Sequence, residues 1–276
     1  MSMFRKYSVL MSLYSKEQPE HLRKAIDSIL NQTIKPDEII IVKDGLLTSE
    51  LDDVLNEYQS DHPRIFNIVG YEKNRGLGLA LNFGLEHCKN ELVARMDTDD
   101  IAKPDRCEKQ LKMFETNPSL EIVGGDIAEF IDIPTNIVAY RKVPTTDAAI
   151  KEYMKTRCPF NHMTVMYKKA SVLKSGDYKD LFWNEDYYLW IRMWEHNCVM
   201  GNTGDVLVDV RTGIDMYKRR GGKKYFKSEK FLQKYMLERN MISKTTFIMN
   251  ITKRFIIQRI LPSSVRAYVF KKFARN

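Results

Sequence analysis

Cysteine is scarce in this chain: Cys88, Cys107, Cys158 and Cys198 are the only four in 276 residues, and no two have C-x-x-C spacing. That pattern supports neither a zinc ribbon nor a dithiol redox motif, and it fits a reducing compartment. No apolar run approaches the roughly 20 residues that span a bilayer. The opening MSMFRKYSVLMSLYS has two basic residues and a short apolar run without a small-residue cleavage site, so it is expected to form a first strand rather than a secretion signal. Glycine is missing where two phosphate-binding designs need it. Leu13-Tyr14-Ser15-Lys16-Glu17, after that strand, contains none, which argues against a sugar nucleotidyltransferase. Leu81 stands where a third glycine would complete G-x-G-x-x-G after Gly76 and Gly78, which argues against a nicotinamide cofactor. Internal repeats and low-complexity linkers are also missing.

What is present fits a globular protein, with 43% hydrophobic and 29% charged residues. The net charge of +8 is unevenly spread: residues 217–276 hold 17 Lys and Arg against two acids, Glu229 and Glu238, whereas the first 216 hold 27 basic and 34 acidic residues. A basic end on an acidic body implies an anionic partner: nucleic acid, anionic lipid or a phosphate-bearing substrate. No nucleic-acid recognition motif accompanies the basic residues, so a nucleic-acid-binding module is kept only as an alternative.

Apolar runs alternate with helical patterns through the first half. Tyr7–Leu13 reads as a strand, and the stripe Leu22, Ala25, Ile26, Ile29, Leu30 after Pro19 reads as a helix. Glu38–Val42 is a continuous apolar run, as expected of a strand covered on both faces. A helix over Thr48–Ser60, a strand over Arg64–Val69, a helix opened by Asn74-Arg75-Gly76-Leu77-Gly78 and a strand over Glu91–Met96 follow. This order predicts an α/β fold with a mostly parallel sheet and helices on both faces. Such sheets bind ligands beyond the carboxyl ends of their strands. The second half is less regular, with strands expected at 122–123, 137–140, 163–167 and 206–210 and helices over Glu185–Glu195 and Ser228–Met241.

At the end of the fourth strand stand Arg95-Met96-Asp97-Thr98-Asp99-Asp100, three carboxylates within four positions. Carboxylates a few ångströms apart raise one another's pKa unless a cation offsets the repulsion. Mg²⁺ takes one or two carboxylates together with substrate phosphates, so the cluster reads either as a metal–diphosphate site or as an acidic turn capping a helix. Glu185 and Asp186 precede the aromatic run Tyr187-Tyr188-Leu189-Trp190, where they are either a general base or a favourable pair at a helix dipole. His162 reads equally as a contact to the diphosphate or acceptor and as a structural histidine. Of the tryptophans, Trp190 and Trp194 read as core and Trp183 as the better candidate for stacking on a sugar.

The segments SVLMSLYS, AIDSILNQT, PDEIIIVKDG, NRGLGLALNFGL and RMDTDD, in this order over about the first 110 residues, resemble family 2 glycosyltransferases; NHMTVMYKK and NEDYYLW resemble that family's acceptor-side segments. The resemblance implies a GT-A fold and an inverting transfer from a UDP-sugar that depends on Mn²⁺ or Mg²⁺. Donor binding is then expected at Leu13 and Tyr14 (base pocket), Asp44 (uracil), Arg75 (base and diphosphate side), Asp97 (ribose or metal) and His162. Asp99 is expected to ligate the metal with Asp97, and Asp186, with Glu185 beside it, to be the catalytic base. Lys43 and Leu46 depart from the acidic residue and serine that usually flank the second motif, and no Q-x-x-R-W is present. The resemblance therefore carries metal binding further than base recognition, and implies addition of a single sugar.

The expected organisation is a GT-A domain over 1–215, with a donor half to about 118 and an acceptor half from 119, and a basic helical extension over 216–276. That extension has three readings: Arg219 and Arg220, with Lys223 and Lys224, grip a diphosphate; 247–261 lies on an anionic membrane surface, the preferred reading; or a helical pair packs on the body with a solvated basic face. The expected activity is hexose transfer, plausibly of galactose, to a lipid-linked saccharide for surface polysaccharide (capsule or O-antigen), in the cytoplasm at the inner face of the membrane.

Overall fold

The computed structural model describes residues 5–213 and 222–261. Strands β1 (Tyr7–Leu13), β2 (Glu38–Asp44), β3 (Phe66–Tyr71) and β4 (Leu92–Met96) alternate with helices α1 (Pro19–Leu30), α2 (Ser49–Asp61) and α3 (Leu77–His87). They line up in the order β3-β2-β1-β4, all parallel. Residues 39–42 are all apolar because both faces are covered. Ile39 and Ile41 join Val9 and Met11 in a cluster with α1 and α2, whereas Ile40 and Val42 join Leu10 in a second cluster with α3.

Beyond β4 the sheet continues through β5 (Ile101–Ala102), β6 (Leu120–Phe130), β7 (Ile137–Arg141), β8 (Met166–Lys168) and β9 (Val199–Arg211), with α4 (Arg106–Thr116), α5 (Asp147–Met154), α6 (Lys169–Lys174) and α7 (Glu185–Glu195) between them. Strand β8 runs antiparallel between β4 and β6, and β6 pairs parallel with β9. The short β5, directly after the acidic cluster, pairs with β9 through Ile101↔Asp209, so the far end of β9 is brought to the carboxylates.

Two helices follow, α8 (Lys223–Glu238) and α9 (Lys244–Phe255), the latter running into a π-helical turn at Ile256–Ile260. Leu232, Tyr235, Met236 and Ile242 share the second cluster with Trp190, Tyr187 and Met154, so this segment packs on the body through a common core. Phe255 and Ile256, which a regular helical wheel sets far apart, are both exposed, at 46% and 43%.

Helix α3 approaches the sheet over Gly84, where an added Cβ would overlap Leu10 Cδ1 and lie 2.6 Å from Val42 Cγ2. Both neighbours are fully buried, so neither has room to yield. Gly84→Ala is expected to destabilise the protein by about 1–3 kcal/mol through overpacking. The check is urea unfolding: the midpoint should fall with the slope unchanged. An unchanged midpoint would contradict this packing.

Candidate active site

The carboxyl ends of β1, β2 and β4 face one edge of the sheet. At the end of β2, Asp44 is 4% exposed and its carboxylate organises the next loop. Its Oδ1 accepts hydrogen bonds from the Tyr71 hydroxyl at 2.9 Å and the Arg75 N–H at 2.7 Å, and Oδ2 accepts from the Gly76 N–H at 3.1 Å. Gly76, at φ +90°, precedes the first turn of α3, a conformation that favours glycine. The Arg75 guanidinium lies over the Tyr71 ring at 4.3 Å. At the end of β1, Leu13 is wholly buried in the core while Tyr14 is 42% exposed, so of that expected pair only Tyr14 offers surface to a base.

The acidic cluster ends β4. Ligand atoms of Asp97, Asp99 and Asp100 lie within 4.8 Å of one another. The three are held in different states. Burial alone would raise Asp97, but the buried Arg95 guanidinium, which pairs with it, and His162, whose Nε2 lies 3.6 Å away, hold its pKa below the usual value. Asp99 is pushed up to about 7 by burial, then by Asp97 and Glu17. Asp100 is raised by burial and by the two other aspartates, and its Oδ1 accepts a hydrogen bond from the Arg211 N–H at 2.9 Å. This donor set is hard oxygen alone, crowded enough to suppress ionisation of two members. It fits an ion such as Mn²⁺ or Mg²⁺, with Asp99 and Asp97 the residues able to hold it.

The Glu185-Asp186 pair opens α7. Added bulk at Gly78, in the first turn of α3, would meet Glu185 Cβ at 3.3 Å, so the N-R-G-L-G loop and the E-D pair touch. Glu185 is lifted to about 7 by burial and by Asp186. Asp186 Oδ1 accepts a hydrogen bond from the Tyr187 N–H at 2.6 Å. His162 joins the two halves: burial and Arg95 lower its pKa, while Asp97 and Asp186 pull it upward. His162 is thus in contact with Asp97 and within electrostatic range of Asp186.

Arg219 and Arg220 lie outside the described residues. Three site residues escape sequence reasoning. Glu17, on the loop after β1, accepts a hydrogen bond from the Thr98 hydroxyl at 3.1 Å and adds its charge beside Asp99. Arg211, at the end of β9, donates from its side-chain Nε to the Asp99 carbonyl at 3.3 Å, besides its backbone bond to Asp100. Arg95 is 1% exposed, with Nε and Nη1 making no hydrogen bond among the described residues. Arg95 had a legible signal: a lone cation inside the apolar strand Leu92–Met96 must have an acid to pair with.

The family model for glycosyl transferase family 2 matches residues 8–182. The chain is 41% identical over 273 residues, covering 98% of itself and 97% of the relative, to the Escherichia coli protein named UDP-Gal:alpha-D-GlcNAc-diphosphoundecaprenol beta-1,3-galactosyltransferase. It is 38% identical over 269 residues to the amylovoran biosynthesis glycosyltransferase AmsE of Erwinia amylovora, covering 96% of itself and 98% of that protein. Among solved structures, the mannosyltransferase PcManGT of Pyrobaculum calidifontis in complex with GDP-Man and Mn²⁺ superposes with a TM-score of 0.64 at 14% identity, covering 99% of this chain and 76% of that one. TarS 1-349 of S. aureus in complex with UDP-GlcNAc gives a TM-score of 0.66 at 15% identity, covering 97% and 77%. At such identities the superpositions establish the fold, that of the GT-A glycosyltransferases. Matched by the family model over residues 8–182 and by relatives along nearly its whole length, the chain belongs to glycosyltransferase family 2.

Proposed function

We propose that the protein transfers galactose from UDP-galactose, with inversion, to a lipid-linked diphosphate saccharide in surface-polysaccharide assembly. The observation that carries this reading is the crowded carboxylate cluster of Asp97, Asp99 and Asp100 at the end of β4, in a chain similar end to end to a galactosyltransferase. On this reading donor and acceptor acids flank a single space.

In this reading Tyr14 and Asp44 with its loop receive the base, and Arg75 and His162 lie along the diphosphate. Asp99 and Asp97 hold Mn²⁺ or Mg²⁺, which when bound offsets the charge developing on the leaving nucleotide. Asp186 accepts the proton of the acceptor hydroxyl. The freed oxygen forms a bond to the anomeric carbon from the face opposite the nucleotide, and the bond to the diphosphate oxygen breaks with its electron pair going to UDP. Arg95 keeps Asp97 ionised, and the Gly78–Glu185 contact fixes the spacing between the halves.

The test is a donor panel with Mn²⁺ and N-acetylglucosamine carrying an alkyl diphosphate. UDP release is expected with UDP-galactose, and faster with acceptor than without it. Preference for another nucleotide sugar would discard the donor assignment, and indifference to acceptor would discard the transfer.

A peripheral place at the inner face of the membrane belongs to the same reading. Ile248, Met249, Phe255, Ile256 and Ile260 are exposed along α9 and the π-helical turn, among the exposed Lys244, Lys253 and Arg259. Among the described residues no helix is long and apolar enough to cross a membrane. Such a face suits an anionic surface, so co-sedimentation with phosphatidylglycerol vesicles should weaken as salt rises. Equal sedimentation with neutral vesicles would remove the electrostatic part.

A further inference from the structure

We propose that Phe182 and Trp183, with Lys224, form the subsite that receives the acceptor: an outer face of the stacked ring pair packs on its sugar and the lysine pairs with the diphosphate behind it. This rests on the transferase reading above and adds the residues that recognise its second substrate.

The segment 181–184 is a tight turn in which the Asn184 N–H donates to the Leu181 carbonyl at 2.8 Å. Trp183 occupies the third position of that turn at φ +56°, where glycine or asparagine is favoured and a bulky residue is an outlier. The neighbouring packing makes the turn persist. Asn184 is buried, and its Nδ2 donates to the Ser228 hydroxyl of α8 at 2.8 Å. That bond brings the first turn of α8 beside the loop, with Tyr225 6.4 Å from the Trp183 ring.

The outcome of this construction is an exposed aromatic face. Phe182 and Trp183 are stacked, their centroids 4.7 Å apart and their planes 15° from parallel, yet they remain 40% and 46% exposed. Trp190, four residues beyond Asp186 on the same helix, is fully buried, so the two exposed rings lie outside the core that holds it. Lys224 Nζ lies 5.9 Å from the Phe182 ring centroid, which puts a cation at the edge of the platform. Two residues separate Trp183 from Asp186 along the chain, so the rings stand just ahead of the helix whose first turn carries the proposed base.

Apolar faces of sugar rings pack on indole and phenyl faces, while the hydroxyls stay at the rim. A lysine beside the rings supplies a compact charge for a phosphate without fixing its orientation. The class of ligand is therefore a hexose bearing a diphosphate. Backbone strain held at such a position is a cost that a purely structural turn would shed by taking glycine.

The experiment uses the full chain with UDP-galactose and Mn²⁺, and two acceptors: N-acetylglucosamine on an alkyl diphosphate and the same sugar on a plain alkyl group. Trp183→Gly gives the turn the residue it favours and removes the ring. Its melting temperature should not fall below the parent's, while KM for both acceptors rises about tenfold. The Kd for UDP should stay at the parent value, since the platform lies on the acceptor side. Trp183→Phe should recover most of the acceptor affinity. Lys224→Gln should raise KM for the diphosphate acceptor and leave the plain one unchanged. An acceptor KM within about twofold of the parent's in Trp183→Gly would overturn the proposal, as would a parallel weakening of UDP. A parent that uses neither acceptor would remove the transferase reading and this subsite with it. A parent that transfers normally, with a Trp183→Gly variant that does too, would remove the subsite alone.

Discussion

Asp99→Ala is expected to abolish turnover while leaving the protein folded. A Lewis acid at the leaving diphosphate supplies several kcal/mol, and each 1.4 kcal/mol or so is a tenfold change, so loss of its ligand should lower kcat by about 10³-fold. The fold should not suffer, because Asp99 is already pushed up to about 7 by burial and by Asp97 and Glu17, which marks it as a strained carboxylate in the ion-free protein. Removing it relieves repulsion. The paired readout is thermal unfolding with and without Mn²⁺. An ion that binds only the folded state raises the melting temperature of the parent by mass action, and Asp99→Ala should lose that increment. Stripping the parent with a chelator should reproduce the loss of turnover. Full activity in Asp99→Ala, or an undiminished Mn²⁺ increment, would remove the acidic cluster from the chemistry.

Asp186→Asn is expected to lower kcat by about 10²–10⁴-fold with UDP affinity intact, the size of a lost general base. The substitution keeps the volume and a side-chain oxygen that can still accept from the Tyr187 N–H, so the first turn of α7 should hold its shape. Glu185→Gln serves as the comparison and should cost far less. If the ranking were reversed, the base would be Glu185, and turnover would then fall as pH drops through about 7, where burial and Asp186 place its carboxyl.

The parallel half of the fold was legible because its sequence obeys two local rules at once. Continuous apolar runs such as residues 39–42 need helices on both faces, and the stripe after Pro19 supplies one; observed and expected bounds agree at Tyr7–Leu13 and Pro19–Leu30. Strand β9 was harder. It runs over Val199–Arg211, but only 206–210 has strand character in the sequence, because Asn202, Thr203, Gly204 and Asp205 interrupt the pattern while long-range pairing with β6 carries the strand through. The α8 helix begins at Lys223, ahead of the expected Ser228, since a lysine-rich first turn carries no apolar period.

The carboxylates of the site were legible for a related reason: acids crowded at a strand end are conspicuous. Their partners were not. Glu17 and Arg211 are nearly two hundred residues apart in sequence; the first meets the cluster because β1 pairs with β4, the second because β5 pairs with the end of β9. No local pattern encodes that. Leu13 illustrates the opposite error, since its place beside Tyr14 at a strand end suggested the base pocket, whereas strand alternation turns it into the core.

The central claim is that one space holds the ion at Asp99 and the proton acceptor at Asp186. Crystals grown with UDP and Mn²⁺, measured for anomalous scattering at the manganese edge, test it directly. The account predicts a single peak about 2.2 Å from an Asp99 carboxylate oxygen. UDP should be joined to it through its phosphates, and the Asp186 carboxylate should face the vacated sugar position. A manganese peak away from Asp97 and Asp99, or an Asp186 side chain opening into a different cavity from the nucleotide, would contradict it.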